Sequence, residues 1–145
     1  METLFKTIET QILSQGLSIA SFDLERPWGG FFVLEERDAQ RFSDIYFEGY
    51  DVASLRKAGK LSPKILLVKP QARLSWQYHH RRAETWRGIQ GPVGVIRSFN
   101  DVENQLENCA VGKTITLKKG ERHRLIGLDT WGVVAEFWQH TDAQN

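Results

Sequence analysis

The stretch RLSWQYHHRRAETW, from Arg73 to Trp86, holds two adjacent histidines, two adjacent arginines and one glutamate. Imidazole nitrogens and carboxylate or amide oxygens are metal donors, and His and Glu also move protons near neutral pH. Side chains alternate across a strand, so Gln77 and His79 share one face while Trp76, Tyr78 and His80 share the other. Only one of the two histidines can therefore join Gln77, and His80 is left for a surface or interface. Glu84 lies at an odd offset from His79, so the chain has to turn through HRRA to bring the carboxylate back. Beyond that turn Glu84 and Trp86 share a face. Taken alone, a histidine such as His79 is more often packed or exposed than ligating, and local pattern leaves open which of these groups grips a metal.

The elements that must position them follow from periodicity. Leu4, Phe5, Ile8, Ile12 and Leu13 recur at helical spacing and Gly16 follows as a stop, so residues 2–15 read as an amphipathic helix. After RPWGG the run FFVLEE reads as a strand, and the polar stretch from Arg37 to Lys60 reads as an insertion with short helical pieces. From Pro63 onward KILLVKP, RLSWQYH, TWRGIQG, VGVIRSF, KTITLKKG, HRLIGL and WGVVAEFWQ are short runs rich in β-branched and aromatic residues, punctuated by Gly, Pro, Asn and Asp. That spacing predicts an antiparallel sandwich or barrel rather than βαβ units.

Length and composition bound the rest. A chain of 145 residues has room for one domain, with a helical extension over 1–20, an insertion over 37–60 and barrel motifs over 61–140. A formal charge of +1 gives no reason to expect a polyanion, so nucleic acid is not an expected ligand. Cys109 is the single cysteine, which excludes an internal disulfide and thiolate zinc-finger sets and suits a cytoplasmic setting. The first residues have neither the basic start and apolar core of a signal peptide nor a membrane-spanning apolar run.

The pattern resembles the cupin superfamily. Its first motif is Gly, five residues, His-x-His, four residues, Glu, six residues, Gly; Gln71, Gln77, His79, Glu84 and Gly91 keep the spacing, with Gln at the first Gly and first His. Its second motif falls on Gly112, Lys118, Gly120 and His123, with Lys118 in place of Pro. The Gln at 77 further resembles the cupin module of phosphomannose isomerases, especially the bifunctional mannose-6-phosphate isomerase/mannose-1-phosphate guanylyltransferase enzymes. Those carry RPWG, LSxQxH, RAExW and HRL, here at Arg26–Gly29, Leu74–His79, Arg82–Trp86 and His123–Leu125. The resemblance runs from Arg26 to Gln139. It departs at Gln71, Arg81, Thr85, Lys118 and Gly127, and it leaves out the nucleotidyltransferase half.

The resemblance implies an all-β cupin double-stranded β-helix, or jelly roll, with an added amino-terminal helix and a short helical insertion. It implies one divalent ion held by Gln77, His79, Glu84 and His123, a donor mixture suited to zinc and open to Mn, Fe, Co or Ni. The implied activity is metal-dependent isomerisation of a sugar phosphate between aldose and ketose, as in mannose-6-phosphate isomerase. That chemistry needs a tuned base, for which Glu136, Lys64 or a metal-bound water are the candidates, and groups for the sugar and its phosphate. Arg26, Arg82 and Arg124 are the phosphate candidates, and Trp28 and Trp86 the stacking ones. Strand parity sets Arg124 opposite to His123. Two other readings share the scaffold: a non-catalytic sugar-binding cupin and a metal-dependent oxygenase. Trp76 and Tyr78 on the outer face require a cover, from the helix or from a second subunit in a homodimer.

Overall fold

The computed structural model describes residues 2–55, 60–76 and 82–140. Helix α1 (Glu2–Ser14) leads, followed by strands β1 (Ile19–Arg26) and β2 (Gly29–Leu34). A 3-10 turn over Glu36–Asp38 opens into α2 (Ala39–Tyr46) and the short α3 (Val52–Leu55). Among the described residues seven strands follow: β3 (Lys64–Val68), β4 (Arg82–Gln90), β5 (Val93–Ser98), β6 (Glu107–Cys109), β7 (Thr114–Leu117), β8 (Arg122–Gly127) and β9 (Gly132–His140).

The strands form a six-stranded sheet in the order β1-β2-β3-β9-β4-β7 and a three-stranded sheet in the order β6-β5-β8, all neighbours antiparallel. Both faces of the large sheet are apolar. On its outer face Phe32, Leu34, Ile65, Leu67, Val133 and Phe137 pack against Ile8 and Ile12 of α1 and Phe42 and Phe47 around α2. On its inner face Leu66, Val134, Trp86 and Ile115 meet Val93, Val95 and Leu125 from the small sheet. This double burial is why KILLV reads as an unbroken apolar run instead of alternating, since every second side chain faces a different core. Each buried aliphatic side chain contributes roughly 1.5–3 kcal/mol, so α1 is fastened by its apolar stripe rather than by its own propensity.

Three sequence expectations are corrected here. Ile19–Arg26 is a strand that the polar letters SFDLER concealed; it is an edge strand with a mostly exposed burial pattern, so no alternating core face marks it. Glu107–Cys109 is a further short strand within a polar stretch. Over Arg73–Trp76 the expected strand is reduced to one isolated bridge, Arg73 to Ile126. The continuation of that stretch, including Gln77 and His79, lies outside the described residues.

One glycine of RPWG has a backbone task. Gly29 has φ of +140°, and a Cβ there would run into the carbonyl oxygen of Leu67 on the paired strand. Only glycine lets β2 start so close to β3.

Candidate metal and acid-base site

The register of the large sheet assembles a row of side chains on its inner face. Lys64 of β3 is opposite Glu136 of β9, and Glu136 is opposite Trp86 of β4. The next row sets Trp138 of β9 against Glu84 of β4, and Glu84 against Leu117 of β7. Period-two alternation makes Glu84 and Trp86 share the inner face, and likewise Glu136 and Trp138. From the facing sheet β8 contributes His123. Lys64, Glu84, Trp86, His123, Glu136 and Trp138, with Trp28 and Phe31 at the β2 side, line a cavity of about 150 Å³ inside the barrel.

Contacts inside the cavity are short and polar. Nε2 of His123 lies 3.0 Å from Oε2 of Glu84, both side chains being almost wholly buried. The Trp86 indole N–H donates to Oε2 of Glu136 at 2.7 Å, and the Trp86 ring meets the His123 ring edge-on at 5.5 Å. The Lys64 ammonium sits 3.8 Å from the centre of the Trp138 ring. Burial drives the Glu136 carboxyl well above its ordinary pKa, and the neighbouring Glu84, through charge and a hydrogen bond, raises it further; Lys64 and the Trp86 N–H oppose this without reversing it. Glu136 therefore holds its proton more tightly than an ordinary carboxyl does.

Among the described residues no group of three or more His, Cys, Asp or Glu side chains is arranged to hold an ion. Two of the four expected ligands are described, and their chemistry fits one. Nδ1 of His123 lies 3.3 Å from the backbone carbonyl of Glu121, which fixes the ring with Nε2 directed at Glu84. Nitrogen and oxygen ligands about 2.0–2.2 Å from a tetrahedral zinc-type ion lie roughly 3.3–3.6 Å apart. The 3.0 Å between Nε2 and Oε2 is a direct polar contact, a few tenths of an ångström shorter than that spacing, so the two donors are near neighbours that an entering ion would part slightly.

Of the residues singled out in the sequence, Trp28, Lys64, Glu84, Trp86, His123 and Glu136 line this one cavity. Arg26 and Arg124 do not. Arg26 is half exposed and lies 3.8 Å from Asp23 near the β1-β2 turn. Arg124 faces away from His123, as strand parity requires, and its Nη1 donates to Glu103 at 3.4 Å. Arg82 begins β4, opposite His140. Trp86 is buried against the inner core with its N–H donated to Glu136, so it orients that carboxyl. The sequence reading missed Phe31 and Trp138; for Trp138 the signal was present, two residues beyond Glu136 on the same strand face.

Residues 35–132 match the sequence profile of the family described as "Mannose-6-phosphate isomerase C-terminal". The chain belongs to that family. Within this mannose-6-phosphate isomerase C-terminal family profile fall Lys64, Glu84, Trp86 and His123, whereas Glu136 and Trp138 lie just past its end. The Xanthan biosynthesis protein XanB of Xanthomonas campestris pv. campestris is 32% identical over 118 residues, covering 78% of this chain and 21% of that protein. The Alginate biosynthesis protein AlgA of Pseudomonas aeruginosa is 35% identical over 82 residues, covering 50% of this chain and 17% of that protein. The chain thus spans about a fifth of the length of the curated relatives it matches.

Solved structures agree on the fold of this family member. Vicilin from Solanum lycopersicum aligns with a TM-score of 0.62 at 18% identity, over 89% of this chain and 34% of that one. KdgF from Halomonas sp. aligns with 0.59 at 10% identity, over 83% and 86%. The capsular polysaccharide assembling protein CapF from Staphylococcus aureus aligns with 0.57 at 12% identity, over 83% and 30%. The fold is the cupin jelly roll expected from the motifs, extended by α1 and by the helices between β2 and β3. Among the described residues no helix is long and apolar enough to cross a membrane.

Proposed function

We propose that this chain is a metal-dependent sugar-phosphate isomerase domain that interconverts an aldose and a ketose, with mannose 6-phosphate as the substrate to try first. The observation that carries the reading is the Glu84–Glu136 carboxyl pair, buried beside Lys64 and His123 in the wall of one cavity. Perturbed carboxyls of this kind cluster where protons are moved. Family membership supports the same reading, since XanB and AlgA are named for polysaccharide biosynthesis.

Gln77, His79, Glu84 and His123 would hold a divalent ion, which would supply positive charge for the oxygen atoms of an enediol. The remaining groups act directly. Glu136 in its ionised form takes the proton from C2 of the open-chain aldose and returns it to C1, while the proton of the C2 hydroxyl ends on the C1 oxygen. A carboxyl with a raised pKa is a stronger base than an ordinary one, which suits this abstraction. The Trp86 N–H fixes the orientation of Oε2. Lys64, held against Trp138, supplies a cation to the substrate oxygens or to a phosphate at the cavity mouth.

The cavity volume favours a second reading. About 150 Å³ is below the roughly 300 Å³ at which small-molecule pockets commonly begin. A sugar-binding module without turnover would need no more than partial entry of its ligand.

One assay separates the two. The chain is stripped of metal, reloaded with Zn²⁺, Mn²⁺, Co²⁺, Ni²⁺ or Fe²⁺ in turn, and incubated with mannose 6-phosphate while fructose 6-phosphate is scored. Turnover is expected, with Glu136→Gln losing at least a hundredfold in kcat yet keeping its metal content. His123→Ala and Glu84→Ala should lose the metal itself. Saturable binding of the sugar phosphate with no product in any metal would support the binding module and reject the isomerase.

A further inference from the structure

Glu121 is almost wholly buried, yet it does not line the cavity. A carboxyl taken out of water needs polar partners, and those partners say what it is for. Arg97 is not the main one. Its Nε and Nη2 donate to the two oxygens of Glu107 at 2.8 and 3.0 Å, and Oε2 of Glu121 lies 3.9 Å from Nε, beyond hydrogen-bonding range. Oε1 of Glu121, by contrast, accepts the backbone N–H of Lys118 at 2.9 Å. In return the Glu121 N–H donates to the carbonyl of Lys118 at 3.0 Å. Gly120, with φ of +81°, supplies the left-handed third position that this tight turn requires. Residues 118–121 are thus clasped twice, once by backbone alone and once through the Glu121 side chain. The carbonyl held by this clasp is the one that lies 3.3 Å from Nδ1 of His123, while Nε2 of the same ring meets Glu84.

We propose that Glu121 is a positioning residue for His123: by accepting the Lys118 N–H it closes the turn that sets its own carbonyl beside Nδ1, and so aims Nε2 into the cavity. The property that matters is an acceptor oxygen at that reach, and not negative charge. From Lys118 only the N–H takes part, since its side chain is exposed. Groups that hold the far nitrogen of a ligating imidazole are worth roughly 10- to 100-fold in metal affinity. That effect on affinity rests on the metal reading above, whereas the orientation of the ring does not.

Two readouts on the full chain test this: the ring nitrogen shifts of His123 in the metal-free protein, by nuclear magnetic resonance, and Zn²⁺ affinity by competition with a chelator. Each variant is compared in its folded state, checked by circular dichroism. Glu121→Gln keeps an oxygen at the same reach and should leave both readouts native. Glu121→Asp keeps the charge but draws the oxygen back by one methylene; it should move the His123 ring signals and weaken Zn²⁺ binding about tenfold or more. Lys118→Pro deletes the N–H and should do the same with Glu121 in place, whereas Lys118→Ala keeps the N–H and should match the native chain. The opposite ranking, with Glu121→Asp native and Glu121→Gln impaired, would assign the carboxyl to Arg97 and overturn the proposal. So would Glu121→Asp and Lys118→Pro variants that lose thermal stability alone while ring signals and affinity stay native, because Glu121 would then brace a turn and nothing more. A native chain that binds no Zn²⁺ refutes the metal reading, and the ring signals of the metal-free chain still decide the role of Glu121.

Discussion

Glu136 reaches the barrel interior from a strand whose other face lies under Phe47, and its carboxyl meets Glu84, Trp86 and Lys64 there instead of water. An acid so placed keeps its proton to a higher pH in the fold than in the unfolded chain. Below the ordinary value of about 4.5 both states are protonated, and the fold bears no ionisation penalty from this group. As pH rises from there through the raised folded pKa, the unfolded chain ionises freely and the fold loses stability relative to it, by about 1.4 kcal/mol for each unit of the difference. Glu136→Gln is isosteric with the protonated acid and removes that titration. In the metal-free protein, thermal midpoints measured from acid to neutral pH should fall less steeply for the variant than for the native chain, and parallel slopes would refute the assignment. Glu84 and His123 could be singled out from the sequence by residue type and motif spacing, and Glu136 only as an acid in the last strand. That the Trp86 N–H serves the Glu136 carboxyl could not, because an indole N–H finds its acceptor only across paired strands.

Strand pairing is the device that turns sequence positions into neighbours. Lys64 and Glu136 are directly opposite because β3 and β9 pair in one register, and a slip of one residue would turn every inner side chain outward. Gly29 guards part of that register on the neighbouring pair, β2 with β3. Gly29→Ala should destabilise the fold by roughly 2 kcal/mol or more, through an unfavourable φ and a Cβ pressed on the Leu67 carbonyl, and should lower the thermal midpoint accordingly. A midpoint equal to the native one would mean that the close approach is not needed. Elements with one strong period were legible: α1 by its apolar stripe, β5, β8 and β9 by their β-branched runs. β1 was not, since an edge strand with exposed side chains shows no amphipathic alternation, and the bridge at Arg73 stands where a full strand was expected.

At the scale of the molecule, the two sheets and the helical layer make two cores on either face of one sheet, and the site occupies the inner one. A ligand that binds only the folded barrel stabilises it in proportion to the logarithm of its concentration over its dissociation constant. Adding Zn²⁺ to the stripped chain is expected to raise the thermal midpoint, and His123→Ala should abolish the rise. An equal shift in the variant would place the ion elsewhere. Sequence by itself determined the class of fold, the helix at the start, the candidate donors and the family resemblance, because these depend on local period, residue type and spacing along the chain. Tertiary structure decided which of the candidates meet, sending Arg26 and Arg124 away from the cavity and bringing Lys64, Trp86 and Glu136 into one row. The reason is physical: strand order, register and burial are set by contacts between segments far apart in the chain, and no local pattern encodes the dielectric in which a carboxyl will sit.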